Sequence, residues 1–315
     1  MWDAVGIDVH KASLVIACHP SGERWTATTS ATDLAALAAR LVRLAPAVIV
    51  LEPTGGYERV VVAALQRAAL PVARVNGERI RGFAQQKGIR AKSDTLDARI
   101  LAAFGAAEQP APLPPQDATA QLQRDLVARR RQLVDLITAE QHRCACVDPE
   151  IIASHERLIA DVRAELARVE AQLQAMVDTD ATQGTAQTQY RSVPGLGATS
   201  ATNLVVMLPE LGQVSGKEIA RLVGVAPLTK QSGAQAEHGH IAGGRTEVRT
   251  ALWMPVLYMA YRDGNPVLAA FAARLRAQGK PFHLIMIACI RKLLVILNAM
   301  RRDGTWWHAP APAMT

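Results

Sequence analysis

Short β-type runs and segments with helical spacing alternate over the N-terminal third of the chain. Helical apolar spacing occurs over residues 33–44 and 57–69, whereas residues 47–51 form a continuous apolar strand and residues 71–75 are strand-like. Residues 4–29, which precede these segments, contain three β-type runs separated by turn-forming residues, namely AVGIDV, SLVIAC and ERWTATT. Three such runs in succession predict two hairpins. With two further helical segments, the order βββαβαβα predicts a mixed sheet covered by helices.

A proline-rich stretch, EQPAPLPPQ, separates this region from a long helical one. Its four prolines, within residues 108–116, exclude a helix and predict a stiff, extended linker. Beyond it, apolar residues recur every three or four positions over 152–176, which is the heptad seam of a coiled coil. Residues 122–136 share that register, so the two halves either fold as an antiparallel hairpin around 148–149 or pair with another chain.

From about residue 186 the pattern changes to short helices with Gly-rich joints. The Gly-x-Gly joint in SVPGLG can expose backbone N–H groups to a phosphate, and ordinary helix capping is the alternative. A strongly apolar helix over 285–300 should be the core of this region. The expected fold class is therefore α/β plus α, with a mixed-sheet domain in 1–110, a linker and coiled coil in 111–185, and a mainly helical domain in 186–315.

Composition supports a helix-rich fold and indicates a partner. Half of the 315 residues are hydrophobic and only 4% are aromatic, so aliphatic side chains packed between helices should form most of the core. The net charge of +7 and the pI of about 9.5 indicate a polyanionic partner, because clustered Lys and Arg bind phosphates and release counterions. A generally basic globular protein without such a partner is the alternative.

The cysteines and the apolar segments bear on compartment and membrane. The chain has four cysteines, Cys18, Cys144, Cys146 and Cys289, and their spacing shows neither a CxxC pair nor a disulfide framework. We therefore expect reduced thiols, as in a cytoplasmic protein. The stretch from His142 to Cys146 does not predict a zinc site, because helix positions i and i+2 point apart and no second pair completes four ligands. The apolar segment 285–297 is interrupted by Arg291 and Lys292 and is too short to cross a bilayer, so no membrane role is expected.

Four carboxylates are candidates for a metal site. Asp8 ends the first strand and Glu52 follows the buried strand, and neighbouring strand ends bring such groups together. Asp94 and Asp97 are spaced i, i+3 and share one helix face. Four oxygen donors suit Mg²⁺ or Mn²⁺. The alternative is that Asp94 merely favours a helix first turn after an N-cap Ser93, with Asp97 solvated.

Basic residues surround these acids in sequence, and a metal-filled site among cations is what phosphodiester chemistry needs. The candidate nucleic-acid contacts in the N-terminal region are Lys11, Arg79, Arg81, Lys87, Arg90, Lys92 and Arg99. Those in the C-terminal region are Lys230, Arg245 and Arg249.

Seven sequence blocks occur in a characteristic order. The N-terminal ones are VGIDVHKASLVIA, LEPTGGYERVVVAAL and ARVNGERIRGFAQQKGIRAKSDTLDARILAAF. The C-terminal ones are SVPGLGATSATNLVVMLPELG, LVGVAPLTKQSG, GHIAGGRTEVRTALW and ACIRKLLVILNAM. Together they resemble the DEDD-type insertion-sequence transposases, whose N-terminal domain is RuvC-like and whose C-terminal domain is the transposase domain. The resemblance covers nearly the whole chain.

This resemblance implies an RNase H-like (RuvC-like) N-terminal fold and a DNA transposase or recombinase. The four acids correspond to the family's metal-binding residues: Asp8, Glu52, Asp94 and Asp97. Ser232, in Lys-Gln-Ser-Gly, corresponds to the family's catalytic serine, which forms a phosphoserine link to DNA. Residue type and spacing alone do not single out Ser232, because Ser-Gly in a loop is usually a turn.

The resemblance also implies partners. These are donor and target DNA, a structured noncoding guide (bridge) RNA whose loops pair with both, and further copies of the chain, as dimers that assemble into a tetramer with composite active sites. The place of action would be the bacterial cytoplasm, at the nucleoid.

The sequence is also compatible with other functions. A hydrolytic, structure-specific endonuclease of the RuvC type would need the acids but not Ser232. An actin-like ATPase or sugar kinase also begins with Gly6-Ile7-Asp8, but His10-Lys11 stands where Gly and Thr usually contact phosphate. A non-enzymatic RNA-binding helical protein would require a degenerate site, whereas all five expected positions, the four acids and Ser232, are filled.

Overall fold

The computed structural model describes residues 3–89, 94–114, 117–145, 147–227, 231–232, 235–236, 240–262 and 264–308. Arg90, Lys92 and Lys230, three of the predicted nucleic-acid contacts, lie outside the described residues, and so do the side chains of Asp94 and Ser232. The chain divides into two compact units, Met1–Ala118 and Thr119–Thr315, here the N-terminal and C-terminal units.

The N-terminal unit contains a five-stranded mixed sheet. Its elements are β1 (Ala4–Val9), β2 (Ser13–His19), β3 (Arg24–Thr28), α1 (Ala31–Leu44), β4 (Val48–Leu51), α2 (Glu58–Arg67), β5 (Val72–Arg74), α3 (Gly77–Gln86) and α4 (Asp94–Glu108). The strand order is β3-β2-β1-β4-β5, and β2 alone runs antiparallel to the other strands of this sheet. This arrangement confirms the predicted mixed sheet and has the strand order of an RNase H-like domain.

The two faces of the sheet are covered by different helices. Alternate β1 residues such as Ile7 belong to one buried cluster with Leu41 of α1 and Leu65 of α2. Ala4 faces the other side, in a second cluster with Phe104 of α4. Burying each large apolar side chain contributes about 1.5–3 kcal/mol, which holds the helices against both faces. Because strand residues alternate, Gly6 and Asp8 lie on the α4 side with Ala4.

Helix α4 lies unusually close to the sheet. A Cβ atom added at Gly6 would lie 2.1 Å from the carbonyl oxygen of Ala98, and one added at Gly105 would lie 2.8 Å from Cγ2 of Val50. Only glycine permits such an approach of helix to strand. The contact fixes Ala98, and with it the neighbouring Asp97, over β1.

The C-terminal unit is mainly helical. Its elements are α5 (Ala118–Cys144), α6 (Pro149–Thr179), α7 (Ala181–Arg191), α8 (Ala198–Met207), α9 (Gly216–Val223), β6 (Gln231–Ser232), β7 (Gln235–Ala236), α10 (Thr246–Tyr261), α11 (Pro266–Ala277) and α12 (Phe282–Asp303). Helix α5 starts one residue before the boundary between the units.

Helices α5 and α6 pair as an antiparallel hairpin. Nε of Arg130 lies 2.7 Å from a carboxylate oxygen of Glu170, and Nδ1 of His155 lies 2.7 Å from one of Glu140. Apolar residues of both helices share one buried cluster: Leu126, Leu133, Val162, Val169 and Leu173. The structure therefore shows the hairpin that the heptad pattern allowed, whereas supercoiling and pairing with another chain stay predictions.

Helix α12 is the core of the C-terminal unit. Nine of its residues are buried: Ile285, Met286, Cys289, Ile290, Leu293, Leu294, Leu297, Asn298 and Met300. Among the described helices, α12 alone is long and apolar enough to cross a membrane, and 44% of its most apolar window is buried in the fold. One such helix is weak evidence for a membrane span, because the core helix of a globular protein passes the same test of length and composition. The described cysteines carry free thiols, and burial raises the pKa of Cys289 to about 11.

Candidate active site

Two of the predicted acids are neighbours across the sheet. Ile7 of β1 and Leu51 of β4 are the last paired residues of the parallel ladder. Asp8 directly follows Ile7, and Glu52 directly follows Leu51. The two acids therefore lie side by side at the ends of adjacent strands and on the same face of the sheet, where neighbouring backbones are about 4.8 Å apart. Both residues are half-buried.

A third acid faces the same cavity. Asp97 lines a cleft of about 900 Å³ together with Asp8 and Glu52, and this cavity is here named the acid cleft. Other polar residues around it are His10, Thr54, Arg81 and Gln85. Three elements, β1, the end of β4 and α4, therefore bring three carboxylates to one concave surface. Asp94 begins α4, and its side chain lies outside the described residues.

The acids are spread around the acid cleft and do not converge on one point. Among the described side chains, no three from His, Cys, Asp and Glu lie close enough to hold a metal ion. Oε1 of Glu52 lies at the start of α3, 2.0 Å from where a Cβ on Gly77 would stand. Oδ2 of Asp8 lies 3.4 Å from Nε2 of His10. The donor chemistry, carboxylate oxygens in an open cleft, fits Mg²⁺ or Mn²⁺, and convergence on an ion would require Glu52 to turn from α3.

The cations predicted near these acids are distributed unequally. Among the predicted nucleic-acid contacts that the structure describes in the N-terminal unit, Arg81 alone lines the acid cleft. The guanidinium of Arg79 lies 5.3 Å from the ring centroid of Phe104, and Nζ of Lys87 lies 5.6 Å from that of Phe83. Lys11 and Arg99 are exposed. Arg81 is thus the described cation best placed to meet a phosphate at the acids.

Glu58 organises the loop that follows Glu52, a role that no sequence pattern predicts beyond its place in the block LEPTGGYERVVVAAL. Its buried Oε2 accepts hydrogen bonds from the backbone N–H groups of Thr54, at 3.1 Å, and Gly56, at 2.9 Å. Arg74 lies 3.5 Å from Oε1. Burial raises the pKa of this carboxyl, but the hydrogen bonds from Thr54 and Gly56 outweigh it and the pKa falls below its usual value. The loop bearing Glu52 is therefore tied to α2.

Ser232 belongs to the C-terminal unit, whereas the acids belong to the N-terminal one. Its backbone forms β6, where Ser232 pairs with Gln235 of the antiparallel β7. The serine thus lies in a short hairpin, and the position and partners of its hydroxyl lie outside the described residues.

Arg245, a predicted nucleic-acid contact, already has partners within the protein. Its guanidinium forms a two-pronged ion pair with Glu210, at 2.7 and 2.5 Å, and donates to the carbonyl oxygen of Met207 at 2.9 Å. Burial raises the pKa of Glu210, but the hydrogen bonds to this carboxylate and the charge of Arg245 together outweigh burial, so the pKa lies below its usual value. This geometry ties the start of α10 to the end of α8.

Arg249 is similarly engaged. Its Nη1 donates to the carbonyl oxygens of Val223 and Gly243, both at 2.6 Å. A Cβ on Gly224 would lie 2.4 Å from the same nitrogen, so glycine is needed there for the guanidinium to pass. A phosphate would have to compete with these internal partners for either arginine.

Two family models match the chain. A model of DEDD-type IS110 transposases, described as transposase, matches residues 5–147. A model described as transposase of the IS116/IS110/IS902 family matches residues 188–273. The first match contains the acid cleft and the second contains Ser232.

Curated relatives include two proteins of similar length. The pilin gene-inverting protein of Moraxella lacunata is 29% identical over 267 residues, which covers 81% of this chain and 80% of the relative. That of Moraxella bovis is 28% identical over 262 residues, with the same coverage of both chains. An uncharacterised 43.6 kDa protein of insertion element IS110 from Streptomyces coelicolor is 29% identical over 124 residues, 39% of this chain and 30% of that protein.

Among solved structures, Thermus thermophilus RuvC in complex with a Holliday junction covers 36% of this chain and 100% of its own, at 18% identity and a TM-score of 0.28. That overlap is too weak to support an argument, and the sheet order itself carries the assignment of the fold.

Proposed function

Because the chain belongs to the IS110 family of transposases, we propose that it cuts and rejoins DNA through a two-part active site. Family membership makes the protein a DNA-recombining enzyme. The proposal adds the residues: Asp8, Glu52, Asp94 and Asp97 bind divalent metal, and Ser232 is the nucleophile. The observation that carries the metal half is the common level of Asp8 and Glu52 on one face of the sheet, with Asp97 lining the same cleft.

The acid cleft has the chemistry for phosphodiester cleavage. A bound Mg²⁺ or Mn²⁺ would activate the attacking oxygen and neutralise charge that develops on the phosphate. Asp8 and Glu52 hold their carboxylates at the rim of the sheet, and Asp97 approaches from α4. Arg81 on the wall of the cleft provides a positive charge for a DNA phosphate.

Ser232 would supply the covalent step. Its hydroxyl oxygen attacks the phosphorus, a serine–phosphate bond forms, and the bond from phosphorus to the departing deoxyribose oxygen breaks, with that oxygen taking a proton. The phosphoester is preserved, so the hydroxyl end of another strand can attack it, restore the DNA backbone and return the proton to Ser232. No external energy source is needed for rejoining.

The hydrolytic nuclease is the competing function, and one comparison disfavours it. A protein that inverts a gene must join DNA ends as well as cut them, and the Moraxella proteins named for inversion match 81% of this chain. Hydrolysis at the acids alone would leave ends unjoined.

Partners follow from the same proposal. The net charge of +7 suits binding of nucleic acid backbones, and family membership supports a guide RNA that selects donor and target DNA by base pairing. The two halves of the active site belong to separate units, so catalysis requires that Ser232 and the acids be brought together. We propose that dimers, and tetramers built from them, do this.

The test uses the full chain with Mg²⁺, cognate DNA and the guide RNA. The wild-type protein should form a covalent protein–DNA adduct that survives denaturation, and Ser232→Ala should lose both adduct and joined product. Ser21→Ala, in an exposed turn of the N-terminal unit, is the matched control and should behave like wild type. Cutting by Ser232→Ala without joining would establish the nuclease instead, and adduct formed by that variant would remove the serine from the mechanism.

A further inference from the structure

The C-terminal unit has a second concave surface that the proposed chemistry does not use. It lies between α10, α11 and α12 and encloses about 860 Å³, within the size range of ligand pockets. Its walls are mostly apolar, with Trp253, Phe271, His283 and Ile287 among them, and Arg291 and Lys292 lie on the same surface. This cavity is here named the aromatic groove.

Aromatic rings and cations are combined in this groove in a chain with few aromatics. The rings of Trp253 and His283 lie 5.8 Å apart with their planes inclined by 34°. Nζ of Lys292 lies 4.8 Å from the ring centroid of Phe271, and the guanidinium of Arg274 lies 5.2 Å from the same ring. The groove thus combines aromatic rings with cations that lie over one of them.

The charge of the groove is one-sided. No Asp or Glu is among the described residues that line it. In the sequence, residues 266–302, which contain α11 and most of α12, carry seven Lys or Arg and no Asp or Glu. An apolar peptide or a second copy of this basic chain would gain nothing from this excess of positive charge, whereas a nucleotide would. Its base stacks on aromatic rings and its phosphate meets the cations.

The groove is close to Ser232 along the chain. Pro227 and Ile241 line it, and Ser232 lies five residues after the first and nine before the second. Since each residue spans at most about 3.6 Å, Ser232 is within about 18 Å of the groove wall. A strand attacked by Ser232 therefore passes near the groove.

We propose that the aromatic groove holds an unpaired nucleotide of the DNA strand that Ser232 attacks. The base lies against Trp253 and Phe271, and its phosphates contact Arg291 and Lys292. Removing a base near the cut from the stack would separate the strands there and fix the register of the scissile phosphate. This inference rests on the proposed function, because it takes the substrate to be DNA.

The test measures binding of a labelled single-stranded DNA 12-mer to the full chain in EDTA, so that neither the acids nor Ser232 contribute through catalysis. Trp253→Leu keeps an apolar side chain and removes the stacking face, and it should raise the Kd about tenfold, as expected for loss of one base–aromatic stack. Lys292→Gln should raise the Kd and lower its salt dependence. The matched control is Trp306→Leu, since Trp306 is 46% exposed and does not line the groove.

Three outcomes would overturn the inference. The first is that Trp253→Leu and Lys292→Gln are both folded and bind the DNA 12-mer like wild type, and the second is that these variants lose affinity only for an RNA 12-mer of matched sequence. The third is an altered oligomeric state in sedimentation without altered DNA binding. The last would make the groove a contact between copies. Cross-linking of a 5-iodouracil 12-mer should map to α10–α12 peptides, which keeps the test decisive if one variant folds poorly. Binding is measured without metal, whereas the Ser232 adduct forms only with metal. A failure of the groove variants to weaken DNA binding would therefore count against the groove alone, and absence of the adduct would count against the proposed function alone.

Discussion

Asp8 and Glu52 stand side by side in parallel strands, one residue beyond the paired Ile7 and Leu51, and face the same side of the sheet. The pairing sets the spacing of the two backbones, while the Glu52 carboxylate must still turn from the start of α3 to meet an ion that Asp8 binds. Because the backbones are already in place and Asp97 lines the same cleft from α4, binding of a divalent ion would require side chains to turn but little ordering of the backbone.

Neutral, equally sized substitutions test these acids. Asp8→Asn and Glu52→Gln should each lower adduct formation about 100-fold or more and weaken Mn²⁺ binding to the protein alone, because an oxygen ligand loses its charge. Titration calorimetry and thermal unfolding are the measurements. Asp3→Asn, exposed just before the same strand, is the control and should leave both unchanged. Mn²⁺ affinity equal to wild type in both cleft variants would contradict the metal site.

The contact between Gly6 and Ala98 should be equally important, since it places Asp97. Gly6→Ala puts a Cβ 2.1 Å from a backbone oxygen, so α4 must move. We expect a loss of about 1–3 kcal/mol in unfolding free energy by denaturant titration, together with reduced activity at temperatures where the variant is folded. In Gly82→Ala, on α3 with open space around the added atom, helix propensity should instead raise stability by up to about 1 kcal/mol. A Gly6→Ala protein as stable and active as wild type would show that α4 tolerates displacement.

Glu58 predicts a pH dependence of stability. Its pKa in the folded protein lies below the usual 4.5, so its ionised form stabilises the fold at pH values above that, and the contribution declines as pH falls through the folded pKa. Glu58→Gln should cost about 1–3 kcal/mol at neutral pH through the weakened bonds to Thr54 and Gly56. Unfolding titrations of both proteins from pH 7 to pH 3 should show this difference shrinking below pH 4.5. A difference that stays constant over that range would mean that charge is not involved.

Much of the fold is predictable from the sequence because its patterns are local. AVGIDV and SLVIAC are short β-type runs bounded by turn-forming residues, which predicts strands joined in hairpins, and the antiparallel pairs β1–β2 and β2–β3 confirm it. The positions of Asp8 and Glu52 at the ends of predicted strands also lead to their proximity. The heptads of α6 predict a packed seam but not its partner, and the structure shows α5 of the same chain in that place.

Other features depend on contacts that no local pattern encodes. Glu58 is important because the backbone of the preceding loop donates hydrogen bonds to its carboxylate. Gly6 is important because α4, about ninety residues later in the chain, packs directly against it. The aromatic groove brings together Trp253, Phe271 and His283 from three helices. In each case the residue type is ordinary, and its role follows from tertiary packing alone.

The role of Arg245 likewise depends on tertiary contacts that the local sequence does not encode, and this role can be tested. The sequence predicts a nucleic-acid contact, while the structure pairs its guanidinium with Glu210 in a two-pronged geometry. Arg245→Lys keeps the charge but loses the planar fork, so a structural role predicts lower stability of the C-terminal unit without a change in DNA affinity. Glu210→Gln should have a similar effect, and the double variant should lose less than the sum of the two, with a coupling of about 0.5–3 kcal/mol.

The matched control for this cycle is the exposed pair Arg302 and Asp303, for which no measurable coupling is expected. If Arg245 instead contacts a phosphate in the working complex, Arg245→Lys would weaken DNA binding and change its salt dependence while Glu210→Gln would not. Denaturant unfolding and DNA affinity, measured on the same four proteins, distinguish the two roles. The two-pronged ion pair leads us to expect coupling in stability and none in DNA affinity, since a guanidinium already held by a carboxylate and a carbonyl oxygen has little capacity left for a phosphate.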